Sequence, residues 1–139
     1  MKIRQASKEE YKEVISHYER CGYRGGVQEN DRIIIALEEE RIIGAVRICS
    51  ENSEKILRGM QVQSQYQNKG LGKAMLQYLH DNVDLIDCYC LPYKHLMNFY
   101  GRIGFREMPA ERVPLFLAER FNEYAKSARA PMIIMKYCQ

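Results

Sequence analysis

The sequence predicts an α+β fold, and three observations carry that prediction. A serine-capped amphipathic segment near the N-terminus reads as a helix. Two apolar runs on either side of Glu38-Glu39-Glu40-Arg41 read as an antiparallel hairpin. Residues 56–82 read as a strand, a glycine turn and a second helix. With 139 residues the chain has the length of one domain with one core, and 46% hydrophobic against 28% charged residues is an ordinary globular balance.

Taken in order, residues 2–6 form a first strand. Ser7 and Glu10 then make a capping box, in which the serine caps the helix and the glutamate reaches back. Tyr11, Val14, Ile15 and Tyr18 follow helical spacing to about Cys21. Gly22-Tyr23-Arg24-Gly25-Gly26 breaks the helix and reads as a surface connection, with pocket lining as the alternative. Residues 32–37 and 42–49 are the hairpin strands, and the acidic run between them is a solvated tip. After a polar turn at 51–54, Ile56, Leu57, Met60 and Val62 mark a strand. Leu71, Met75, Leu76 and Leu79 then mark a helix to Asn82. A further strand is expected over 85–91, ended by Pro92. It is followed by a short helix over 94–102 with Leu96, Phe99, Tyr100 and Ile103 on one face, and by a short strand from Gly104 to Met108. Val113, Leu117, Phe121, Tyr124 and Ala128 set out one more helix, with Pro114 suited to its first turn. Pro131 ends that pattern, and 132–137 reads as the last strand.

The turn Gln67-Asn68-Lys69-Gly70-Leu71-Gly72 organises the chain. Two glycines one residue apart let the backbone turn closely where a helix starts. The first N–H groups of a helix have no intrahelical partner and carry partial positive charge, so they bind phosphate readily. Lys69 and Lys73 add full charges beside them. A Walker turn is excluded, because Lys73 is followed by Ala74 and the glycine spacing is wrong. A dinucleotide turn is excluded because Met75 stands where the third glycine belongs.

Several classes drop out. No apolar run approaches the ~18–20 residues of a membrane span, and residues 1–7 carry no secretory hydrophobic region. Five cysteines make an odd count without framework or zinc spacing, which fits a reduced, cytoplasmic setting and no metal site. A net charge of +3 without a run of Lys and Arg suits a polyanionic ligand but argues for no nucleic acid.

The residues Gln67-x-x-Gly70-x-Gly72 after a strand, followed about thirty residues later by Tyr100-x-x-x-Gly104-Phe105, resemble the GCN5-related N-acetyltransferases (GNAT). The order of elements over 2–108 and 131–137 fits that family. The resemblance implies a mixed, mostly antiparallel central sheet flanked by helices, here with an extra helical segment before the last strand. It implies a single acetyltransferase domain that transfers acetyl from acetyl-CoA to a primary amine by direct attack on the thioester. It places the pyrophosphate on Gln67, Asn68, Lys69, Gly70, Leu71, Gly72 and Lys73, and the pantetheine and thioester on Met60, Gln61 and Val62. Asn98 is a further contact and Tyr100 is the general acid. A core aromatic is the plainer reading of Tyr100, since it shares a stripe with Leu96 and Ile103.

Three departures stand out. Tyr93 occupies a position where the family often has Asn, residues 57–61 lack the carboxylate that often serves as base, and 109–130 replace a short connection. The base is therefore open. A lysine-type amine is only ~0.1% neutral at pH 7.4, whereas an α-amine is roughly a quarter neutral and could lose its proton through water. Glu119 is the other candidate. Cys90 reads as a core residue before a nucleophile, and His17, His80 and His95 read as exposed or capping. A non-catalytic acetyl-CoA-binding or protein-interaction module is the second function, and a nucleotide site the third. The acceptor's identity and a homodimer are left open.

Overall fold

The protein is described here by a computed structural model covering residues 1–138. The fold is α+β, and the chain groups into two compact units, Met1–Asp84 and Leu85–Gln139.

In the first unit, β1 (Lys2–Gln5), β2 (Arg32–Glu38), β3 (Arg41–Glu51) and β4 (Glu54–Val62) form consecutive antiparallel pairs. Both hairpin turns are two residues long. Glu39 and Glu40 have φ of 50° and 69°, and Asn52 and Ser53 have 50° and 65°. Paired positive φ values of this kind match the right-handed twist of the strands they join. β2 is buried from Ile33 to Leu37 without interruption because helices cover both faces. Ile33, Ile35 and Leu37 pack with Val14 and Tyr18 of α1 (Tyr11–Arg20), while α2 (Leu71–Asn82) lies along β2, β3 and β4.

The Ser7–Glu10 capping box forms as expected, with the Glu10 carboxylate accepting the Ser7 N–H at 2.9 Å. It caps a 3-10 turn, Lys8–Glu10, that runs into α1. The buried stripe of α1 differs from the predicted one. Val14, His17 and Tyr18 are buried, whereas Ile15 is 44% exposed. His17 lies three residues after Val14 and so falls on the same face.

In the second unit, β5 (Tyr89–Cys90), β6 (Phe105–Glu107) and β7 (Met135–Tyr137) pair antiparallel in the order β5-β7-β6. The strand expected over 85–91 shortens to two residues. Asp87 has a φ of 62° and the Cys88 N–H bonds the Leu85 carbonyl at 2.9 Å, so 85–88 is a turn. The last strand shortens too, its first half being a bridge between Met132 and Tyr93 and a bond from the Ile133 N–H to the Pro92 carbonyl at 2.9 Å. A 3-10 turn, Lys94–Leu96, precedes α3 (Met97–Gly101). The segment 109–130 contains α4 (Leu115–Ser127), with Pro114 at its cap. Of its predicted stripe only Leu117 is fully buried; Tyr124 is 41% exposed, and Leu115, outside the stripe, 74%.

Arg4 grips Glu10 through two bonds of 2.8 Å. That ion pair, with the Ser7 N–H, holds the Glu10 carboxyl well below its ordinary 4.5, at about 2. The lowered value means that Glu10 stabilises the fold fully above 4.5 and that this contribution disappears as the pH falls toward 2. Denaturant titrations on either side of that window should show an acid loss in the wild type that is smaller in Glu10→Gln.

Candidate functional site

The glycine turn forms where the sequence places it. After β4 the chain makes a 3-10 turn, Ser64–Tyr66, and the Gln67 side-chain amide donates back to the Val62 carbonyl at 2.9 Å. Gln67 thus closes the loop with its side chain. Asn68 and Gly70 are left-handed, with φ of 61° and 84°. Gly70 caps α2 with no side-chain hydrogen bond, and a Cβ built there meets no atom within 4 Å. The N–H groups of Leu71, Gly72 and Lys73 start the helix, beside the exposed ammonium groups of Lys69 and Lys73. Uncapped N–H groups, a helix dipole and two cations beside open space give this turn a positive electrostatic character.

The strand leading into the turn is bulged. Ala45 faces Gln61 and Arg47 faces Arg58, so Gly59 and Met60 together stand against Val46. Gly59 is left-handed, with a φ of 69°. Two consecutive α1 side chains reach this bulge: the Tyr18 hydroxyl donates to the Gly59 carbonyl at 2.8 Å, and His17 Nε2 lies 3.0 Å from the Gln61 carbonyl. His17 is fully buried, which corrects its sequence reading as exposed or capping. Burial pushes its pKa down, and nearby Arg20 acts in the same direction, so the ring is neutral near pH 7. Burial pushes the Tyr18 phenol far up, so it stays a donor.

Below the bulge lies a buried ion pair. Arg47 Nη1 is 3.0 Å from Asp31 Oδ2, and the two side chains are 3% and 1% exposed. Arg47 also donates to the Gly26 carbonyl and, at 2.8 Å, to the Tyr23 hydroxyl. The guanidinium lies 5.6 Å from the Tyr18 ring centroid and 5.7 Å from that of Tyr23. The loop at 22–26 is therefore tied into the interior and lines a cleft of about 410 Å³ with Ile15, Tyr18 and Val27. The loop is a surface connection, with Gly22, Arg24 and Gly26 exposed, and its residues 23–26 also line this cleft.

In the second unit, Tyr100 is 8% exposed and stands edge-on to Phe99 and Phe105, with ring centroids 5.0 and 6.2 Å away. Asn98 is exposed, and its backbone carbonyl accepts the Arg102 N–H at 3.2 Å. Cys90 is buried, and burial raises its thiol pKa strongly, so it is a core residue and no thiolate nucleophile. Glu119 is exposed on α4.

The sequence profile of the acetyltransferase (GNAT) domain matches residues 29–107, more than half of the chain. The chain belongs to the GNAT acetyltransferase family. Solved structures share the fold of this acetyltransferase-family chain. The ribosomal-protein-S18-alanine N-acetyltransferase of Escherichia coli is 16% identical, with a TM-score of 0.70 over 98% of this chain and 92% of that one. Rv2747 of Mycobacterium tuberculosis, solved with CoA, is 14% identical, with a TM-score of 0.69 over 100% and 99%. Escherichia coli ElaA is 15% identical, with a TM-score of 0.67 over 99% of both chains. No curated protein sequence matches the chain.

Sequence reasoning found the turn and the strand of this GNAT chain but missed the supports beneath them. The signal for Arg47 was present: one arginine interrupts the apolar run from Ile42 to Cys49, where an unpaired charge is costly. His17 carried a weaker signal, being a histidine at apolar spacing from Val14. At Gly59, a Cβ would sit 2.7 Å from the Tyr18 hydroxyl and 3.1 Å from Arg47 Nε, on backbone that already disfavours any other residue. Gly59→Ala should therefore cost about 1–3 kcal/mol of stability, read by urea denaturation. An unchanged midpoint would mean that the bulge relaxes freely.

Proposed function

We propose that the chain is an acetyl-CoA-dependent N-acetyltransferase acting on a primary amine. The observation that carries this reading is the uncapped start of α2 behind the left-handed Asn68 and Gly70, directly after the bulged β4. The open space at Gly70 fits a diphosphate, and the N–H groups from Asn68 to Lys73, with Lys69 and Lys73, would hold it. The backbone of Met60, Gln61 and Val62 would orient the pantetheine arm and offer an N–H to the developing oxyanion. Acetyl-CoA supplies an activated acetyl thioester that the amine attacks directly. Tyr100 would donate its phenolic proton to the departing sulfur, and the exposed Asn98 would contact the cofactor's outer part.

Residues 57–61 contain no carboxylate, which leaves two routes for the amine's proton, loss through water or transfer to Glu119, and the first needs no protein base. An α-amine takes the first route far more easily than a lysine-type amine at pH 7.4, which makes α-amines the favoured acceptors. The same missing carboxylate is the one observation that favours a non-catalytic acetyl-CoA-binding module. Free-thiol release from acetyl-CoA with a panel of amines separates the two, since the binding module releases none.

Gly70→Glu places a carboxylate where the diphosphate should lie. Acetyl-CoA affinity should fall by at least ~2–3 kcal/mol, the worth of a charged hydrogen bond, while circular dichroism shows a folded chain. Unchanged affinity by calorimetry would refute the phosphate assignment. Tyr100→Phe keeps the ring among Phe99 and Phe105 and removes the proton. The rate should drop ~10²–10⁴-fold with acetyl-CoA affinity nearly unchanged. A wild-type rate would return Tyr100 to the core.

A further inference from the structure

The bulge in β4 is held from α1 by two adjacent side chains, and the planarity of the peptide turns that contact into an orientation. In a trans peptide the carbonyl of one residue and the N–H of the next point in opposite directions. The Gly59 carbonyl accepts the Tyr18 hydroxyl at 2.8 Å, so the Met60 N–H points away from that hydroxyl. The Gln61 carbonyl faces His17 Nε2 at 3.0 Å, so the Val62 N–H points away from the imidazole. Both side chains are almost wholly buried, at 2% and 0% exposure, and cannot swing aside without opening the core. At the bulge such support is necessary. With Gly59 and Met60 together opposite Val46, the regular ladder does not fix the Gly59–Met60 plane, whereas Gln61 and Val62 are back in register with Ala45 and Gly44, and His17 adds to the ladder there.

We propose that His17 and Tyr18 are positioning residues of the acyl site, which together aim the Met60 and Val62 N–H groups as donors for the thioester and pantetheine of acetyl-CoA. The inference rests on the acetyltransferase reading above. It goes further by assigning the geometry of the strand to two side chains of α1.

The arrangement also selects one form of His17. Nε2 faces a carbonyl and must carry the proton, which leaves Nδ1 as an acceptor. Gln63 Nε2 approaches Nδ1 at 3.5 Å while donating to the Ile42 carbonyl at 3.0 Å. The other groups facing the ring are the Ile42 carbonyl, which with that of Gln61 favours the protonated form, Arg20 on the same helix, and the Cys21 sulfur, 3.7 Å from Nε2. None of these is a carboxylate that would favour the imidazolium. Protonation would put a second N–H beside the Gln63 amide, in competition with it for the Ile42 carbonyl, and disturb the end of β4.

Amide spectra of ¹⁵N-labelled protein, recorded while acetyl-CoA is added, test this without knowledge of the acceptor. In the wild type, the amides of 68–73 and those of Met60 and Val62 should all shift. In Tyr18→Phe and His17→Phe the amides of 68–73 should still shift, the Met60 and Val62 responses should shrink, and acetyl-CoA affinity should fall ~3- to 10-fold. His17→Gln returns an N–H near the position of Nε2 and should recover the Val62 response. It should also lack the acid-side weakening of affinity that the wild type shows as His17 protonates. Undiminished Met60 and Val62 responses in both Phe variants would overturn the inference while leaving the phosphate site intact. Absence of any shift at 68–73 in the wild type would instead remove the acetyl-CoA reading itself. Should the Phe variants not fold, the comparison of His17→Gln with wild type across pH decides, and identical acid limbs would count against the proposal.

Discussion

The first unit depends on satisfying one buried cation. Arg47 stands in the middle of β3 with 2% of its surface exposed. An isolated charge there would cost several kcal/mol even after relaxation. Asp31 neutralises it at 3.0 Å, and the Gly26 carbonyl and Tyr23 hydroxyl take other guanidinium N–H groups. Asp31 is held in turn by the Gln28 N–H at 2.8 Å, and the Asp31 carbonyl accepts the Tyr11 hydroxyl. The glycine-bearing loop between α1 and β2 is therefore fixed by electrostatics, although its composition suggests a flexible connection. Taking away either charge would leave the other buried alone, a loss of about 3–5 kcal/mol.

The same cluster sets the geometry of β4. The guanidinium lies to one side of the paired rings of Tyr18 and Tyr23, whose centroids are 4.7 Å apart, and contacts both, so the position of the Tyr18 ring is determined. Its hydroxyl is left to hold the Gly59 carbonyl. From that bulge to the start of α2 the chain changes its physical task. Met60 to Val62 are half-buried, and directed backbone donors act strongly there because water is scarce. Residues 67–70 are exposed, where charge and dipole attract a polyanion but screening limits each contact. Under the proposed function, binding energy gathered at the exposed turn would orient a reacting group at the shielded strand.

What the sequence made legible was whatever depends on local backbone chemistry. The capping box at Ser7, the hairpin tips, the left-handed Gly70 and the amphipathic α2 each follow from residues within a few positions of one another. The failures came where distant residues decide. The strand expected over 85–91 was undone by a left-handed Asp87, which the apolar pattern hides. His17 was misjudged because its partners, Gln61 and Gln63, lie more than forty residues away in the chain. Arg47 could have been questioned from its apolar surroundings, but nothing local names Asp31 and Tyr23 as its partners.

The distribution of carboxylates around β4 bears on the proton that an acceptor amine must lose. Asp31 is committed to Arg47, and Glu51 accepts from Arg58 Nη2 at 3.0 Å. Both of these anions are thus already engaged by arginines, Glu54 stands at the opposite end of β4 from Met60 to Val62, and His17 is neutral with its Nε2–H directed at a carbonyl. A carboxylate held by an arginine is a poor base, because accepting a proton would give up the ion pair. The donors proposed at Met60 and Val62 therefore have no carboxylate on residues 55–62 to serve them as a base. That combination matches chemistry in which the amine's own basicity controls the rate: a weakly basic amine supplies its neutral form to the strand without a protein group to remove the proton, and a strongly basic one does not.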